Sequence, residues 1–156
     1  MFQNNEYIIV VISGLLATAA MTIFTIVTFF VMKRPYNVIR ILGNMLMFQP
    51  YTVTRHFAPP RQRILATFLH YAIGIIFAWG FQHYVMEGED DVKMASLVYG
   101  IVIALIAIAG WRLFFFLHPG PPDISLKTYL LVIAAGHLIL TTCLYVIYKH
   151  LIGVNC

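Results

Sequence analysis

Four stretches of the 156-residue chain, residues 8–32, 64–84, 94–117 and 128–148, are 21 to 25 residues long and hold one charged residue between them, Arg112. A hydrocarbon core about 30 Å thick takes about 20 apolar residues of helix to cross. Inside it the backbone has no water to bond, so each stretch must satisfy its own N–H and C=O groups as a helix. A barrel strand would cross in about half that length. The expected fold is an all-α integral membrane protein, one bundle of four transmembrane helices, with too little chain outside them for a second domain. Composition agrees, with 61% hydrophobic and 10% charged residues where soluble domains carry about half and about a quarter. Two cysteines exclude a disulfide scaffold. Helical spacing sets Cys143 and Cys156 about 20 Å apart, too far for a bridge between them.

Lys33, Arg34, Arg40, Arg55, Arg61 and Arg63 follow the first stretch, and Arg112 and Lys127 flank the loop after the third. Only Lys93 and Lys149 fall on the other side. That bias makes the first and third loops cytoplasmic and puts both termini outside. The net charge of +4 thus faces anionic headgroups and calls for no nucleic-acid partner. The first stretch has no basic segment before it and is too long for a cleaved leader, so it reads as a signal anchor.

The first loop has structure of its own. Between Pro35 and Pro50, Asn37, Arg40 and Asn44 share one helical face, and Val38, Ile41, Leu42 and Met45 share the other. This pattern predicts a helix over residues 36–48 that either lies in the interface or packs on the end of the bundle. The third loop, His118-Pro119-Gly120-Pro121-Pro122-Asp123, reads as a stiff turn. A shift of 86 residues aligns Gly14 with Gly100 and Phe29-Phe30 with Phe115-Phe116, and a shift of 67 aligns His70 with His137 and His83 with His150. The 19-residue difference between the shifts is about the size of the extra helix. The chain therefore reads as two copies of a helical hairpin about an axis along the membrane normal.

Helices associate in lipid through small residues and polar contacts, which locate the inner faces. They are Gly14, Thr18, Thr22, Thr25 and Thr28 on the first helix, and His70, Gly74 and Ala78 on the second. On the third they are Gly100, Ala104, Ala107 and Trp111, and on the fourth Ala134, His137, Thr141, Tyr145 and Tyr148. The threonines are expected to bond back to their own helices. His70 and His137 lie on packing faces about 10 and 15 Å from the cytoplasmic helix ends. An ionisable residue at such depth is a candidate for function. The pair suits axial ligation of one b-type haem, a transport or quinone role, or a purely structural imidazole bonded to Thr67, Thr141 or a carbonyl. His83 and His150 lie 13 residues further on, about 140° round each helix, which argues against a second haem. Arg112 sits on another face of its helix. It either snorkels to phosphates or turns inward to hold a haem propionate, a small anion or a lipid headgroup.

The acidic residues 87 and 89–91 form a solvated loop, and Asp90 and Asp91 precede the third helix, where negative charge complements the helix dipole. No EF-hand, P-loop or zinc spacing occurs, and no crossing holds the carboxylate that a proton pump or intramembrane aspartyl protease needs. The segment Gly14-Leu15-Leu16-Ala17-Thr18-Ala19-Ala20-Met21 resembles the G-x-x-A-T-x-x-M first helix of a loose group of small bacterial four-helix inner-membrane proteins. Leu69-His70-Tyr71-Ala72-Ile73-Gly74 looks like the start of their next helix. The resemblance implies a bacterial inner-membrane location and supplies no activity. The expected role is an accessory or scaffolding protein without a catalytic centre, packing against lipids, other membrane subunits or itself. The alternatives are electron transfer through haem b held by His70 and His137, or binding of a small anion or lipid headgroup with Arg112.

Overall fold

In the computed structural model, residues 3–33, 37–46, 60–86 and 91–152 are described. They form α1 (Gln3–Met32), α2 (Val38–Met45), α3 (Pro60–Phe81), α4 (Val92–Leu117) and α5 (Leu126–Ile152). A π-helical turn, Gln82–Met86, extends α3. There is no strand among the described residues. The spans Tyr7–Met32, Pro60–Met86, Val92–Leu117 and Leu126–His150 are each long and apolar enough to cross a membrane. The chain is an all-α multi-pass membrane protein. Large apolar side chains cover its outside, among them Phe116 (83% exposed), Phe68 (71%) and Ile64 (70%), as expected where the solvent is lipid.

Local chemistry explains the ends. Asn37 caps α2 by accepting the Arg40 N–H at 3.2 Å, and Asp91 caps α4 by accepting the Met94 N–H at 3.0 Å. Each satisfies a first-turn donor that the helix cannot. In the third loop, His118 Nδ1 accepts the Gly120 N–H at 3.1 Å, so the proline-rich segment is the stiff turn expected. The acidic residues 87–90, the prolines at 35, 50 and 59, and Cys156 lie outside the described residues.

α1 packs along both α3 and α5, and α4 packs along α5. Glycine sets the crossings. A Cβ on Gly14 would sit 2.9 Å from the Ile75 Cα, and one on Gly74 would run into Thr18 Oγ1. A Cβ on Gly100 would sit 2.5 Å from Thr141 Oγ1. Under the two shifts, Gly14 corresponds to Gly100 and Gly74 to Thr141, so the α1/α3 and α4/α5 crossings fall at corresponding positions. The remaining pairs do not correspond. A two-fold relation would map the α1/α5 interface onto α4/α3, yet α1 and α5 are closely packed while α3 barely touches α4.

Of the two settings its amphipathic pattern fits, α2 adopts the packed one. Val38, Ile41 and Met45 are buried in a cluster with Phe115, Tyr129, Val132 and Ile133, and the Arg40 guanidinium lies over the Phe29 ring, 5.6 Å from its centroid. A second cluster, including Met21, Ala78, Phe81, Leu140 and Tyr148, fills the opposite half of the bundle.

Candidate functional site

Where the two clusters fail to meet, a cavity of about 200 Å³ remains, reached by all five helices. α1 contributes Thr18 and Met21, α2 Val38 and Leu42, and α4 Trp111 and Phe114. His70 and Phe77 enter from α3 and His137 from α5. The face containing His70, Gly74 and Ala78 is thus an inner face, as expected, and the α5 stripe with it: His137, Thr141 and Tyr148 are buried. Arg112 is not at the site. Gly110 and Trp111 line the cavity, but one further residue turns the side chain by about 100°, and Arg112 stands exposed on the outer surface of α4. The inward-turned Arg112 weighed from sequence is therefore corrected to the outward one. His83 and His150 are exposed and do not line the cavity; His83 stacks on Trp79, with ring centroids 6.0 Å apart.

The hydrogen bonds fix what each imidazole presents. His137 Nδ1 lies 2.8 Å from the Ile133 carbonyl. A carbonyl can only accept, so Nδ1 carries the proton and Nε2 of the neutral ring keeps its lone pair. His70 Nε2 lies 3.2 Å from Thr22 Oγ1. Thr22 gives its one proton to the Thr18 carbonyl at 2.8 Å, so Nε2–H of His70 donates to Thr22 and the lone pair is at Nδ1. Neither His70 Nδ1 nor His137 Nε2 has a hydrogen bond among the described residues. Phe77 meets His137 edge-on at 5.7 Å between centroids, holding the ring from the α3 side.

The threonine stripe behaves as a packing stripe with one exception. Thr25 and Thr28 donate to the carbonyls of Thr22 and Phe24 at 2.9 and 2.8 Å. Thr18, fully buried, has a hydroxyl with no partner among the described residues. A buried polar group left unpaired costs about 1–3 kcal/mol, and native structures hold few. The Thr18 hydroxyl is enclosed against Gly74 in the α1/α3 contact, so the site offers two imidazoles, each with one unpaired ring nitrogen, on walls that carry no charged residue.

Thr67 and Thr141, named from sequence as partners of the histidines, serve other groups. Thr67 donates to the Arg63 carbonyl and Thr141 to that of His137. The backbone carbonyl also expected as a partner is, for His137, that of Ile133, whereas Thr22, which orients His70, was not singled out as a partner although it belonged to the recognised α1 stripe. Among the described residues, no group of three or more His, Cys, Asp or Glu side chains is placed to hold a metal ion, and Cys143 is a free thiol.

No family model, curated protein or solved structure matches the chain. Its chemistry is therefore read from the cavity.

Proposed function

We propose that this protein binds a small, neutral, hydrogen-bond-donating molecule within the membrane, between His70 and His137. The observation that carries the reading is a pair of imidazoles lining one apolar cavity, each with one ring nitrogen, His70 Nδ1 and His137 Nε2, that has no hydrogen bond among the described residues. A ligand with two donors would satisfy both acceptors. A small anion would meet two acceptors and no cation, since Arg112 faces outward. The charge bias of the loops supports an orientation with α2 on the cytoplasmic side.

The probe for this reading is 4-fluorophenol, with fluorobenzene as the control of similar shape without a donor. In ¹⁹F NMR of the detergent-solubilised protein, 4-fluorophenol, whose one hydroxyl can donate to either ring, should give a saturable bound resonance that the double substitution His70→Leu/His137→Leu abolishes while the helical circular dichroism is unchanged. Equal binding of fluorobenzene, or a bound signal that survives both substitutions, rejects the site.

Haem b between the same rings is the second reading, favoured by the two free nitrogens. The cavity is smaller than the roughly 300–1,000 Å³ pockets that enclose drug-sized ligands, and a porphyrin would require α3 and α4 to part. A Soret band lost in His70→Ala and in His137→Ala supports haem, and a colourless protein from haem-replete cells rejects it. The accessory-subunit role draws on the lipid-facing helix surfaces; crosslinking in native membranes, followed by mass spectrometry, is its test.

A further inference from the structure

The α3/α4 seam holds more than the histidine cavity. Towards the Asp91 end, the same two helices stand apart along an apolar groove of about 650 Å³, lined by Ile76, Trp79, Val98, Val102 and Ile106 among others. Phe77 lines both the cavity and the groove. At this junction Tyr99 on α4 donates its hydroxyl to the Phe77 carbonyl at 2.8 Å, a side-chain tie between helices that otherwise hardly meet. Cavity and groove thus adjoin along one seam, polar acceptors at one end and hydrocarbon walls at the other.

We infer that the ligand is a lipid-borne hydroquinone, its ring in the cavity between His70 and His137 and its apolar chain in the α3/α4 groove. This identification rests on the small-ligand reading above and gives it a substrate class. Three observations select that class among amphiphiles. The cavity has no charged wall, so a phosphate-bearing headgroup would enter without a counter-charge. Its two acceptor nitrogens come from different helices, which suits a molecule with two hydroxyl donors; a sterol or diacylglycerol has one and leaves an imidazole unpaired. Phe77, Trp111 and Phe114 line the same space, walls suited to a flat ring.

The hydrogen bonds also set a redox preference. A hydroquinone donates from both hydroxyls, one to each imidazole. The oxidised quinone offers two carbonyl acceptors to two acceptors and donates to neither. Reversing the His137 tautomer would set a bare Nδ1 against the Ile133 carbonyl, lone pair to lone pair, so the ring cannot readily adapt. Each lost hydrogen bond is worth about tenfold in affinity, so the site should prefer the reduced form by about 100-fold.

The test is displacement of bound 4-fluorophenol under anaerobic conditions by decylubiquinol and by decylubiquinone, whose fully substituted rings resist addition of the Cys143 thiol. Decylubiquinol should displace the probe at about 100-fold lower concentration than decylubiquinone, and more tightly than the same hydroquinone without its chain. Ile106→Trp, at a lipid-exposed position on the groove, should weaken decylubiquinol at least tenfold and leave 4-fluorophenol binding unchanged. If 4-fluorophenol itself does not bind, the small-ligand reading fails and this inference with it. If it binds, but both redox forms displace it equally or Ile106→Trp has no effect, the hydroquinone assignment alone is overturned.

Discussion

The α1/α3 crossing beside His70 makes a quantitative demand on Gly74. Adding one methyl there drives a Cβ into Thr18 Oγ1 and to 3.0 Å from Thr18 Cβ and 3.2 Å from Cγ2. Rotating the threonine removes the worst overlap, but the Cβ stays put, so α1 and α3 must separate by several tenths of an ångström. Overpacking of this kind costs about 1–3 kcal/mol, partly offset by the gain of up to about 1 kcal/mol from replacing glycine in a helix. Gly74→Ala should therefore destabilise the protein by about 1–2 kcal/mol. Thr18→Ala removes Oγ1 and Cγ2 but keeps the Cβ 3.0 Å away, so Thr18→Ala/Gly74→Ala should recover part of the loss, with a coupling of at least about 0.5 kcal/mol in a double-mutant cycle. Gly110 is the internal control, because a Cβ there meets nothing within 4 Å. Gly110→Ala should be neutral or stabilising by up to about 1 kcal/mol. Reversible unfolding in mixed micelles, followed by circular dichroism, measures all four variants. A Gly74→Ala protein as stable as the parent, or a double variant no better than Gly74→Ala, would refute the proximity on which the cavity geometry depends.

Thr22→Val removes the acceptor of His70 Nε2–H; it should cost about 1 kcal/mol and abolish the preference of His70 for the Nε2–H tautomer in ¹⁵N NMR spectra, leaving His137 unchanged. Tyr99→Phe deletes the tie to the Phe77 carbonyl and should lower stability by about 1 kcal/mol while speeding hydrogen exchange along the facing stretches of α3 and α4; unaltered exchange there would count against a seam held by that bond. Asp91→Ala removes the α4 cap and should cost about 1 kcal/mol in chemical unfolding, which Asp91→Asn should largely restore. Arg112→Gln should shift stability by less than about 0.5 kcal/mol and leave 4-fluorophenol binding intact; loss of binding would return Arg112 to the site.

The crossings were legible because length and apolarity alone define them: the four spans of the structure contain the four sequence stretches, with ends displaced by a few residues. The inner faces were legible for a related reason. At Gly14, Gly74 and Gly100 the neighbouring helix leaves no room for a Cβ. Periodicity reports which way a side chain points on its own helix, but not which helix stands opposite. Hence the placement of His70 and His137 on inner faces was readable, and a carbonyl partner such as that of Ile133 was among those expected, while the Thr22 hydroxyl, on another helix, was not. α2 showed the same limit: its apolar face was plain, and its burial against Tyr129 and Phe115 depends on partners about 70–90 residues away. The 19-residue excess between the two repeat shifts was the available sign that the first hairpin carries a piece the second lacks. It did not reveal that the piece would help line a cavity with Val38 and Leu42.

α2 lies across one end of the four-helix cluster, and its apolar side chains help wall off the histidines from the water beyond. On the proposed reading, a molecule bound for those rings would arrive sideways, between α3 and α4, out of the surrounding oil. Occupancy will follow the amount dissolved in the bilayer, not the amount free in the aqueous phase. Two compounds of equal intrinsic fit will differ in potency by their partition coefficients, and diluting the membrane with inert lipid will empty the protein without any change in bulk dose.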